Sequence, residues 1–113
     1  MSKSDVVRVR HMLDATREAL SFVVGKTRED LNVDRMLTLS CVRLLEVIGE
    51  AASQVSPEFR AKYPQVPWNQ ITGMRNRLIH AYFDVNLDVL WETLAGSLPS
   101  LAHALEGILQ QES

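Results

Sequence analysis

The chain has one cysteine, Cys41, in 113 residues, so no internal disulfide can staple it and a reducing compartment, the cytoplasm, is the expectation. The four Pro and five Gly are scattered rather than clustered, which excludes a low-complexity linker, and no self-similar period marks a repeat protein. No apolar run approaches the roughly 20 residues of a bilayer span, and the first residues carry no apolar stretch with a small-residue cleavage site. Neither a membrane anchor nor export is expected. No segment alternates with period two for long enough to make a strand, no Gly-rich loop is spaced to cradle phosphates, and the three His residues lie too far apart for metal-ligand spacing. No metal and no cofactor are implied. Excess positive charge is absent too: 12 Lys and Arg against 14 Asp and Glu give −2, which argues against a globally basic nucleic-acid coat protein.

What remains is a 46% apolar, 23% charged chain of one-domain size, patterned at helical spacing from end to end. Ser4 is the expected N-cap of a first helix with Val9, Met12, Leu13 and Thr16 on one stripe, and Gly25 its expected C-cap. Thr27 and Asp30 form a capping pattern. The strongest helix spans 33–55, with Met36, Leu37, Cys41, Leu44, Leu45, Ile48 and Ala52 at spacings of three and four. Ser56 and Pro57 open a short helix, and Pro64 and Pro67 force a loop. Ile71, Met74, Leu78 and Ala81 mark a further helix from Trp68, Asn86 caps another, and a last one begins near Leu98 and Pro99. The expected fold is all-α, a single-domain bundle of four main helices plus short ones. Cys41, Trp68 and Trp91 are expected as packing residues, His11 and His103 as surface residues, and Tyr82 and Phe83 as partly buried anchors.

The chemistry concentrates in residues 71–84. On an ideal helix Gly73, Asn76 and His80 lie opposite the apolar stripe, with Arg77 beside them and Arg75 nearer the core edge. A mid-helix Gly costs about 1 kcal/mol against Ala, so Gly73 asks for a reason such as close approach of a ligand. From Phe59 to Phe83 there are four basic residues, Arg60, Lys62, Arg75 and Arg77, and no acid, which leaves the remainder of the chain at −6. A cationic zone beside an imidazole suits a phosphodiester, since Arg forks onto phosphate oxygens and His exchanges protons near neutral pH. Arg75 and His80 sit about 140° apart on a helix, however, so sharing a site needs the helix to end near His80, the Arg to bend, or two chains to combine across a two-fold axis. By spacing alone such a pair is most often solvated or ion-paired, and Arg77 could pair with Asp84 or Glu92. Glu46 and Glu50, four apart on one face, are either solvated or the counter-charges of Arg75 or Arg77.

Three stretches, EVIGEAA at 46–52, YPQVPWNQITGMRNRLIHAYF at 63–83 and LWETL at 90–94, resemble the HepT-like branch of the HEPN superfamily over roughly residues 36–100. The resemblance implies a helical bundle, a homodimer, and a toxin paired with a minimal nucleotidyltransferase antitoxin of the MNT type. It implies metal-independent RNA cleavage by Arg75 and His80 of an Arg-x4-His motif, with Asn76 as the polar residue after the Arg. It also implies that Tyr82, two residues after the His, receives AMP from the antitoxin. Arg77 is the further substrate-positioning candidate, and Glu46, Glu50 and Gly73 are supporting ones. The alternative from a different class is a non-catalytic subunit that presents substrate or docks the partner in a two-protein nucleotidyltransferase.

Overall fold

The computed structural model describes residues 3–79 and 84–113, and its regular secondary structure is helical apart from one isolated antiparallel bridge. The chain runs α1 (Lys3–Phe22), α2 (Asp30–Val33), α3 (Arg35–Ser53), α4 (Pro57–Lys62), α5 (Trp68–Thr72), α6 (Met74–Leu78), α7 (Leu87–Glu92), a π-helical segment (Thr93–Ser97) and α8 (Leu98–Glu112). α1 packs along α3 on one side and α8 on the other, and α5 and α6 together lie on α3. This is an all-α HEPN-type helical bundle, with one of its four positions filled by the two short helices α5 and α6.

The caps explain where the elements begin. Asp34 accepts from the Leu37 N–H at 3.0 Å and starts α3, Ser56 accepts from Phe59 at 3.2 Å and starts α4 with Pro57 in its first turn, and Asn86 accepts from Val89 at 3.1 Å and starts α7. Asp30 accepts from the Thr27 N–H at 2.6 Å, the reciprocal half of a capping box. Gly25 has φ +74, the left-handed conformation that lets the chain turn after α1. Ser4 lies inside the first turn of α1 rather than at its cap. The periodic residues then bury as one core: Val9, Met12 and Leu13 meet Cys41, Leu45, Ile48 and Ala52, with Leu98, Leu105 and Ile108 closing the other side. Cys41 is fully buried, and burial pushes its thiol up to about 11, so it packs as a small apolar residue. Met36 and Val33 do not join it. They are 81% and 84% exposed; Val33 ends α2 rather than lying in α3, and Met36 stands one residue before Leu37, where the buried stripe of α3 begins.

Two expected helices are divided or joined differently. The helix from Trp68 breaks at Gly73, where the Gly73 N–H closes α5 on Asn69 at 3.1 Å and a Cβ would stand 3.2 Å from that same carbonyl. Gly73 therefore serves a tight junction between two short helices, which is reason enough for a Gly there. Conversely, Leu87 to Glu112 is continuous. The Leu98 N–H reaches back five residues to Thr93, and this wider turn precedes Pro99, whose ring would crowd the carbonyl four residues earlier in a regular α-helix.

The C-terminal end of α8 is pinned to α4. Lys62 donates to Glu112 at 2.8 Å, the Tyr63 hydroxyl donates to the same carboxylate oxygen, and the ammonium lies 5.5 Å from the Tyr63 ring centroid. Hydrogen bonds from Lys62 and then Tyr63 hold the Glu112 carboxyl below its ordinary value. A depressed carboxyl stabilises the fold above its unfolded pKa and loses that contribution as pH falls through the folded value. The melting temperature of Glu112→Gln is therefore expected below wild type at neutral pH, with the gap closing as the carboxylates protonate; a gap that is constant with pH would remove this contact from the stability of the fold.

Candidate nucleic-acid interface

Gly49 decides how close the site's two walls come. It stands in the interior of α3, and a Cβ built there would lie 3.1 Å from the Ile71 carbonyl of α5. Without a side chain at 49, the backbone of α5 settles onto α3, with Ile71 and Met74 buried in the interface. That contact carries α6 alongside the Glu46 turn of α3. The Arg75 Nε donates to Glu46 Oε2 at 2.6 Å, with the Arg side chain 65% exposed and the Glu side chain 21%. A half-sheltered carboxylate thus holds one edge of a guanidinium that is otherwise open to solvent. An Arg grips phosphate through the fork of its nitrogens, and fixing Nε limits the rotamers that the fork samples.

The other candidates divide. Asn76 is exposed one residue further along α6. Arg77 is exposed as well and donates to the Gln70 carbonyl at 3.2 Å, on about the opposite side of α6 from Arg75. Glu50 faces Arg43 at 3.6 Å, so Glu46 is the counter-charge of Arg75 and Glu50 is not. His80 and Tyr82, with Ala81 and Phe83, lie outside the described residues. α6 ends at Leu78, Ile79 is extended (φ −111, ψ 115), and Ile79 pairs with Val85 while the Asn86 N–H donates to Leu78 at 2.8 Å. The 140° separation computed for one continuous helix therefore does not apply, because the helix stops two residues before His80. His11 and His103 are exposed, Trp68 is buried with its indole N–H on the Tyr63 carbonyl at 2.9 Å, and Trp91 packs at the core edge.

The acid-free window in sequence is not a cationic patch in space. Arg60 caps α3 by donating to the Val55 and Ala52 carbonyls at 3.1 and 2.9 Å, and Lys62 is neutralised by Glu112. Acids from α3 and α8 fold back onto Arg75 and Lys62, leaving Arg77 bonded to a neutral carbonyl. Among the described residues no three His, Cys, Asp or Glu gather as a metal site, and no helix is long and apolar enough to cross a membrane.

Sequence reasoning left Gly49 without a role. Its signal was available, since a Gly inside an otherwise strong helix costs about 1 kcal/mol and is retained where a neighbouring backbone needs the space.

The fold is an all-α helical bundle of the HEPN type, and in it a short helix brings Arg75 against Glu46 of the long central helix. The chain belongs to the family described as Ribonuclease HepT-like, whose model matches residues 12–108. It is 42% identical over 104 residues to "Putative RNase TTE0752" of Caldanaerobacter subterraneus subsp. tengcongensis, covering 92% of this chain and 93% of the relative. It is 37% identical over 98 residues to "Probable ribonuclease HepT" of Thermococcus cleftensis, covering 83% and 89%, and 32% identical over 107 residues to "Putative RNase MJ1380" of Methanocaldococcus jannaschii, covering 94% and 98%. No solved structure matches at a significant level.

Proposed function

We propose that this chain is a metal-independent endoribonuclease that acts as the toxin of a two-gene module and is silenced when a nucleotidyltransferase antitoxin of the MNT type places AMP on Tyr82. The observation that carries the proposal is the exposed Arg75 guanidinium held by Glu46 at 2.6 Å, in a chain whose relatives are named as RNases. Arg75 binds the scissile phosphate and the charge that builds on it, with Asn76 and Arg77 positioning the strand. His80 takes the proton of the ribose 2′-hydroxyl as that oxygen attacks phosphorus, or gives a proton to the departing 5′-oxygen. The products are a 2′,3′-cyclic phosphate and a 5′-hydroxyl. One imidazole serves one of these roles at a time, and a homodimer with the two motifs facing across a cleft supplies both.

AMP on Tyr82 adds a negative charge and bulk two residues from His80, and the added phosphate repels the substrate's phosphates. Co-expression with the nucleotidyltransferase of its module is expected to add AMP to the Tyr82 peptide by mass spectrometry and to suppress RNA cleavage. Tyr82→Phe is expected to stay unmodified and active under the same conditions. An adduct on another residue would displace Tyr82 from the site.

A further inference from the structure

Beside α6, on the face away from Glu46, a cavity of about 270 Å³ opens between α5, α6, the π-helical segment and α8. Its floor is apolar, with Met74, Leu98 and Leu101 buried or nearly so. Its rim is polar, with Gln70, Ser97 and Arg77 among the lining residues, and none of the lining residues is an Asp or Glu. The long helix runs past it as the π-helical segment that accommodates Pro99.

We infer that this cavity receives one nucleobase of the RNA strand, across α6 from the phosphate held at Arg75. The inference rests on the ribonuclease reading above and adds a subsite to it. Size comes first: the volume falls just under the roughly 300 Å³ where clefts for drug-sized ligands begin, which fits a single flat ring system better than a whole nucleotide or a peptide segment. Chemistry agrees. A base presents an apolar face and an edge of mixed donors and acceptors, matched here by the apolar floor and by the amide of Gln70 and the hydroxyl of Ser97. Acidic groups would repel the flanking phosphates, and the lining has none. Connectivity is the third point. Arg77 at the rim and Arg75 on Glu46 belong to one five-residue helix, so a strand crossing α6 meets one Arg on each side.

The test compares an RNA carrying all its bases with the same RNA carrying one abasic nucleotide, the abasic position being moved through the residues flanking the cut. One flanking position is expected to raise KM about tenfold when abasic, the scale of one lost base contact, with kcat largely kept. Ser97→Phe, which fills the cavity, is expected to cleave intact and abasic RNA alike, at the efficiency of wild type on the abasic strand. Ala104→Leu fills the same cavity from α8 and serves if Ser97→Phe does not fold. Equal cleavage of intact and abasic RNA by wild type, or a base dependence that survives both filled variants, would overturn the subsite. If wild type cleaves neither RNA, the ribonuclease reading fails on its own. The affinity ratio of the two RNAs by fluorescence anisotropy then decides the subsite: a tenfold ratio lost on filling supports it, and a ratio of one refutes it.

Discussion

Replacing His80 by alanine is expected to lower the rate of RNA cleavage by about 10²- to 10⁴-fold, the contribution of a positioned acid or base. The loss should appear in kcat, because in the proposed mechanism the imidazole moves a proton in the transition state and holds little of the substrate in the ground state. Arg75→Ala is expected to be similarly damaging and to raise KM as well, since it removes a phosphate contact and strips Glu46 of its partner at 2.6 Å. Arg75→Lys does not restore it, because a point charge cannot reproduce the fork and no longer offers an Nε to Glu46. Single-turnover cleavage of a labelled RNA measures all three. An undiminished rate in His80→Ala would remove the imidazole from the chemistry.

Gly49→Val is expected to be the most damaging substitution outside the motif. A Cβ at 49 already meets the Ile71 carbonyl at 3.1 Å, so the branched side chain forces α5 off α3 by more than a methyl group's give. Overpacking of this kind costs about 1–3 kcal/mol, which a bundle with a continuous core withstands. Catalysis is less forgiving. α5 leads directly into α6, so its displacement draws Arg75 away from Glu46, and misplacing a catalytic group by about 1 Å costs on the order of 10²-fold. Circular dichroism should therefore show a folded helical protein with a modestly lower melting temperature and nearly no cleavage, with Gly49→Ala falling between. Full activity in Gly49→Val would mean that the contact between α3 and α5 does not position the site.

The elements legible in the sequence were those set by local chemistry. Ser56, Asn86, Gly25 and the Thr27–Asp30 pair announced their turns, and the stripes through Val9 and Leu45 announced the core, because caps and helical period act over a few residues. Three features needed the tertiary structure. Gly73 reads as an interior helical position until the junction between α5 and α6 is seen. The π-helical turn before Pro99 joins what the sequence reads as two helices, one capped by Asn86 and one beginning near Leu98 and Pro99. The cationic window of 59–83 dissolves because Glu46 and Glu112, remote in sequence, return to Arg75 and Lys62. The site was half legible for the same reason. Arg75, Asn76 and His80 stand out by residue type and spacing, whereas the choice of Glu46 over Glu50 depends on which turn of α3 faces α6.

In the proposed mechanism, cleavage rests on the substrate's own hydroxyl. The decisive measurement is cleavage, with EDTA present, of one RNA and of the same strand carrying a single 2′-deoxy nucleotide at the mapped cut. The purified chain is expected to cut the first, leaving a 2′,3′-cyclic phosphate, and to leave the second whole at that bond. Cleavage of both strands alike, or cleavage that vanishes with EDTA, would contradict a metal-independent attack by the 2′-oxygen; no cleavage of either at any enzyme concentration would favour a docking subunit for the nucleotidyltransferase instead.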